Sequence, residues 1–154
     1  SKGLRDVEHE YQPAAGTRRV LLLGDSFTEA MQVPREVSFA GVLDSGLGDA
    51  VQVMNAGTAA YGTDNELLFF ETEGSRYQPD LVVLILVDAP VAVRRLGDDL
   101  DRIEQAGYAF QAAVVAAYSE MATADPDRWL VVDGNGTIEE VAARGAAAVE
   151  GRLR

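Results

Sequence analysis

At 154 residues, 47% hydrophobic and 25% charged, the chain has the size and balance of one soluble domain that can bury a core without disulfide or metal staples. It holds no Cys and a single His, His9, which excludes disulfides, thiolate chemistry and multi-histidine metal clusters; no metal and no cofactor is expected. A formal charge of -12 repels polyanions, and the longest apolar run, Leu81 to Val87, is too short to span a bilayer, so neither nucleic acid nor a membrane is an expected partner.

The opening Ser1-Lys2-Gly3 lacks Met, as a trimmed or processed product would, and carries no signal-peptide pattern. A soluble cytoplasmic protein is expected, monomeric or weakly dimeric and without an obligate partner. Residues 1–17 contain Pro13 and Gly16 and no clear period, and read as an extended arm able to pack on the sheet edge, with His9 solvated on it.

Arg19 to Leu23 is a predicted buried strand, closed by Gly24. Pro34 suits the first position of a helix whose inner face is Phe39, Ala40, Leu43 and Leu47, with Gly46 and Gly48 ending it. Val51 to Met54 is a second strand. Thr63 or Asp64 is expected to cap a helix through Glu73, with Gly74 as its stop. Leu81 to Val87, apolar throughout, predicts a strand covered on both faces.

Pro90 is expected to start a short helix ending at Gly97. Asp98-Asp99 precede a long one carrying Ile103, Phe110, Val114, Tyr118 and Met121, which Asp125-Pro126 breaks. Trp129 to Val132 is the last strand, and Asn135-Gly136 turns. Thr137 and Glu140 form a capping box for a final helix facing inward through Ile138, Val141, Gly145 and Val149. Alternating strands and helices predict a three-layer α/β sandwich, flavodoxin-like or Rossmann-like, on a parallel sheet of about four strands in order 2-1-3-4.

Three blocks carry chemistry in the first half: Gly24-Asp25-Ser26-Phe27-Thr28-Glu29, Val33-Pro34 with Ser38-Phe39, and Asn55-Ala56-Gly57 followed by Tyr61-Gly62-Thr63. With them, residues 19–85 resemble an SGNH (GDSL-type) hydrolase. The resemblance implies Ser26 as nucleophile, its own N–H as one oxyanion donor, and a second donor at Ala60 where the family has glycine. Asp25 and Ser26 also suit a plain helix or turn cap. Two features of the resemblance are missing. No histidine follows residue 9, so the family's late Asp-x-x-His block has no counterpart. Alanine at residue 60 disfavours positive φ, and the family's Asn donor falls near Asp88 or Ala89.

Leu86-Val87-Asp88-Ala89-Pro90, Asp101-Arg102-Ile103-Glu104 and the run Asp125 to Asp133 have a different likeness. With them, residues 86–153 resemble the end of a bacterial thymidylate kinase. The resemblance implies ligand-binding positions at Arg94, Arg102 and Asp133, with Arg95 at a basic position near the family's lid, although the three arginines better suit exposed pairing with Asp98, Asp99, Asp101 or Glu104. The phosphate loop Gly-x-x-x-x-Gly-Lys-[Ser/Thr] occurs nowhere, and the one lysine is Lys2. The expected organisation is one α/β domain, residues 1–154, made of an arm (1–17), a hydrolase-like half (18–85) and a kinase-like half (86–154). A recombined or designed domain with no complete active site is the expected function. A weak serine esterase through Ser26 is the first alternative, and a weak nucleotide binder the second.

Overall fold

The computed structural model describes residues 3–86, 107–133, 135 and 138–153. Its elements in chain order are β1 (Arg18–Leu23), α1 (Ser26–Glu29), a 3-10 turn (Arg35–Val37), α2 (Phe39–Leu47), β2 (Val51–Asn55) and α3 (Thr63–Thr72). A second 3-10 turn (Gly74–Tyr77), β3 (Leu81–Leu86), α4 (Gly107–Ala124), β4 (Trp129–Asp133) and α5 (Ile138–Leu153) complete it. The four strands are parallel in the order β2-β1-β3-β4, as the crossover rule predicted. Val20 lies between Val53 and Leu81, and Leu84 pairs with Val131.

Strand periodicity divides the core into two layers. Val20, Leu22, Val53, Leu81, Val83 and Val132 face α2 and α5, where Ala40, Leu43 and Val149 meet them. Leu21, Leu23, Met54, Val82, Leu84 and Trp129 face the other way, toward Tyr77 and Tyr118. Each layer draws residues from both sides of position 86. Trp129 lies 5.2 Å from the Phe70 ring of α3 and 6.5 Å from Tyr118 of α4, and Tyr118 donates a buried hydrogen bond to Glu66 of α3 at 3.2 Å.

The predicted inner face of α2 holds, and Gly145 and Val149 of α5 are buried as expected, while the Ile138 side chain lies outside the described ones. Gly145 is buried so close to Phe39 that a Cβ would stand 2.9 Å from the ring, which lets the two helices touch. Helix starts differ from expectation. Ser38, not Pro34, caps α2, accepting from the Gly41 N–H at 3.2 Å, because Pro34 opens the separate 3-10 turn. Gly46 lies inside α2 and only Gly48, at φ 74, ends it. Gly62 caps α3 without a side-chain hydrogen bond, in place of Thr63 or Asp64. Gly74 begins a 3-10 turn and packs against Leu21. The expected helix from Pro90 to Gly97, with Asp98-Asp99 and Ile103, lies outside the described residues.

The first residues pack against the strands, as the reading of an arm on the sheet allows. Arg19, 2% exposed, donates from Nε to Gln52 at 2.8 Å and from Nη1 to the carbonyls of Tyr11 (2.8 Å) and Tyr77 (2.7 Å). Tyr11 also packs on the Tyr77 ring at 4.9 Å and donates to Glu73 at 2.5 Å, under the guanidinium of Arg76. A buried charge requires such pairing, and Arg19 obtains it from Gln52, Tyr77 and the Tyr11 carbonyl of the segment that precedes its strand.

Candidate functional site

β1 ends at Gly24 on the carboxyl edge of the sheet, where ligands bind in open α/β folds. Asp25 is extended (φ -88, ψ -153), and its Oδ1 accepts the Phe27 N–H at 2.9 Å. It therefore caps α1, as the residue type favours. Ser26 is the first residue of that single turn, which Ala30 closes at φ 55 through its N–H to the Ser26 carbonyl. The Ser26 side chain is half-exposed and has no hydrogen-bond partner among the described residues.

The loop after β2 lies against this turn. Asn55, 1% exposed, donates from Nδ2 to the Thr28 carbonyl and accepts the Gly57 N–H at Oδ1, both at 2.9 Å. The Thr58 N–H reaches the Gly24 carbonyl at 3.0 Å, and the Ala59 N–H reaches Glu29 Oε2 at 2.9 Å. Gly57 is required by this approach: a Cβ there would stand 2.3 Å from the Glu29 nitrogen. Thr58 to Tyr61 then form a turn closed by Tyr61 N–H to Thr58 O at 3.2 Å, with Ala60 in its third position at φ 62. The expectation that alanine would forgo positive φ is thus corrected. Turn closure and the contacts on Thr58 and Ala59 hold Ala60 in the left-handed region despite the steric cost to an L-residue. Its N–H has no partner among the described residues. Ser26 and Ala60 thus belong to two turns that the Thr58–Gly24 and Ala59–Glu29 hydrogen bonds tie together.

The chain's one imidazole is elsewhere in the polar network. His9, expected in solvent, is 5% exposed, with Nε2 3.1 Å from Asp6 Oδ2. Asp6, its side chain 1% exposed, also accepts the Asn55 N–H (2.7 Å), the Val7 N–H (2.8 Å) and Arg35 Nε (2.7 Å). Burial pushes the Asp6 pKa up, but the hydrogen bonds from His9, Asn55, Arg35 and Val7 together outweigh it and hold the carboxyl below its ordinary value. The cause of His9's burial is this carboxylate, which needs donors once it is out of water. Arg5 donates to the carbonyls of Glu29 (2.7 Å), Ala30 (2.8 Å) and Val33, covering the carboxyl end of α1. Sequence reading missed Asp6 and Arg5. The one available sign was two opposite charges side by side in a stretch that otherwise lacks a period.

On the kinase-like side, Asp88, Ala89, Arg94, Arg95 and Arg102 lie outside the described residues. Asp133 is exposed at the end of β4, where its Oδ1 accepts from the backbone N–H (2.9 Å) and Nδ2 (2.8 Å) of Asn135. Arg144 closes the same turn by donating to the carbonyls of Asp133 and Asn135. A groove of about 270 Å³ lined by Phe70, Ser75, Gln78, Pro79 and Arg128 lies at the opposite, amino edge of the sheet and includes no residue of the candidate site. Among the described residues no group of acidic or histidine side chains could hold a metal ion, and no helix is long and apolar enough to cross a membrane.

No family model matches the chain. Among curated proteins, the thymidylate kinase of Leifsonia xyli subsp. xyli is 39% identical over 95 residues, covering 60% of this chain and 44% of its own length. That of Halorhodospira halophila is 32% identical over 123 residues, 77% of this chain and 57% of its own. The chain spans about half the length of these two relatives. Stretches of that extent cannot fit within residues 86–154, so the kinase likeness continues upstream of position 86. Among solved structures, a lipase/acylhydrolase from Enterococcus faecalis superposes with TM-score 0.55 at 19% identity, over 88% of this chain and 97% of that one. The M. smegmatis aryl esterase does so with TM-score 0.55 at 17% identity, over 90% and 99%. At such identities the likeness shows the fold alone. The chain is similar in sequence to thymidylate kinases over part of its length, and it has the α/β fold of GDSL-type lipases and esterases over most of it.

Proposed function

We propose that this chain is a recombined or designed α/β domain that displays the nucleophile side of a serine-hydrolase site without completing it. The observation that carries this reading is the environment of Ser26. It stands half-exposed at the carboxyl edge of β1, while the one imidazole in the sequence is buried against Asp6. A serine hydroxyl needs a base near neutrality, and a carboxylate of pKa about 4 is too weak for that task. Asp25, the carboxylate adjacent in sequence, is engaged as a helix cap. No native turnover is expected. A soluble, cytoplasmic setting with no obligate partner belongs to the same reading, supported by the net charge of -12.

One observation favours a second reading, a weak esterase acting through Ser26. Ala60 keeps a positive φ and its N–H has no partner among the described residues, which supports a reading of that amide as one oxyanion donor. Nucleotide binding has less support, since the Asp133 carboxylate is engaged in shaping its own turn and the phosphate loop is lacking. Steady-state hydrolysis of p-nitrophenyl acetate by the wild type and Ser26→Ala separates the first two readings. Equal rates support the incomplete site, and a severalfold fall in the variant supports the esterase.

A further inference from the structure

Glu29 stands three residues after Ser26, at the end of α1, and its Oε2 accepts the N–H of Ala59 at 2.9 Å, thirty residues away in sequence. Ala59 directly precedes Ala60, whose backbone is held in the left-handed region at φ 62. We infer that Glu29 is a positioning residue that ties the nucleophile turn to the turn presenting the Ala60 amide, so that the Ser26 and Ala60 N–H groups address one oxygen together. The inference rests on the reading of Ser26 as a nucleophile position.

The remaining contacts between the two turns lie further back: Thr58 N–H on the Gly24 carbonyl, and Asn55 on the Thr28 carbonyl and the Gly57 N–H. Those bonds fix the loop to the sheet but leave Ala59 and Ala60 free to pivot beyond Thr58. Among the described residues the Glu29 carboxylate is the one side chain that bonds the backbone beside Ala60. An alanine at φ 62 is under steric pressure to relax, and a single-turn helix is marginal by itself. A charge-assisted hydrogen bond between them restrains both. Because the Glu29–Ala59 bond is exposed, its loss should change the geometry of the two turns more than it changes folding.

The test uses a small alkyl fluorophosphonate, followed by intact mass. The Ser26 oxygen bonds to phosphorus, fluoride leaves and the hydroxyl proton passes to water. Four outcomes are expected. Wild type acquires one label and Ser26→Ala none. Glu29→Ala labels about fivefold more slowly, the net worth of one typical hydrogen bond. Glu29→Gln, which keeps a side-chain carbonyl oxygen, restores most of the rate. Ala59→Pro removes the donor N–H at the turn position proline favours, and in that background Glu29→Ala has no further effect.

Equal labelling of Glu29→Ala and wild type would overturn the inference while leaving the Ser26 reading intact. So would an undiminished Glu29→Ala effect in the Ala59→Pro background, or a Glu29→Gln variant as slow as Glu29→Ala. Should Glu29→Ala fail to fold, Ala59→Pro and Glu29→Gln decide the matter alone. Wild type that labels no more than Ser26→Ala would overturn the Ser26 reading and the inference with it.

Discussion

Replacing Ala60 by glycine should stabilise this protein, against the usual direction of Ala→Gly changes. Ala60 sits at φ 62, in the third position of the Thr58–Tyr61 turn, where a residue of positive φ is required. An L-residue in the left-handed region costs roughly 1–2 kcal/mol that glycine avoids. Against this, the freer unfolded chain of a glycine variant costs about 0.4–1 kcal/mol. The Ala60 methyl is exposed, so little packing is lost. The net gain is then about 0.5–1 kcal/mol, a rise in Tm of roughly 1–4 °C for a chain of this size. Ala59→Gly is the internal control, because Ala59 has no positive φ and should lose about 0.4–1 kcal/mol. Thermal unfolding followed by circular dichroism reads both. If Ala60→Gly lowers Tm as much as Ala59→Gly does, the strained-turn reasoning is wrong.

Asp6→Asn should lose about 3 kcal/mol, since it leaves a buried polar cluster without its charge. The folded Asp6 pKa lies below the ordinary aspartate value, so its contribution is complete above that value and fades as pH falls through the lower folded one. The variant should therefore show a shallower loss of stability below about pH 4, measured by urea unfolding across pH. Because both core layers mix residues from before and after position 86, unfolding should be one cooperative transition; two well-separated calorimetric transitions would contradict this. ATP and thymidine monophosphate should bind no tighter than about millimolar, roughly -4 kcal/mol, and micromolar affinity by titration calorimetry would refute that expectation.

The sheet was legible because its strands are apolar runs bounded by glycine and proline, and short crossovers leave few ways to order them. Leu81 to Leu84 could hardly be anything but a central strand. The nucleophile turn was legible as a motif, though not as a helix, because one turn shows no period. The packing of the first residues was hidden for a related reason. Arg5 and Asp6 are placed by hydrogen bonds to carbonyls, amides and charges 24 to 49 residues distant, and His9 is held by Asp6 in turn, none of which leaves a periodic trace. Arg19 looked like a strand's polar start, yet its guanidinium is a buried hub. Ala60 shows the opposite limit: residue type argued against positive φ, and the contacts around it prevailed.

The central claim is that Ser26 is a nucleophile position without a base. Stopped-flow release of p-nitrophenol from p-nitrophenyl acetate, with enzyme near substrate concentration, tests it most directly. The account predicts at most one equivalent of slow release from the wild type, absent in Ser26→Ala, followed by identical steady rates in the two proteins. A wild-type steady rate severalfold above that of Ser26→Ala would mean that something in this fold does serve as the base.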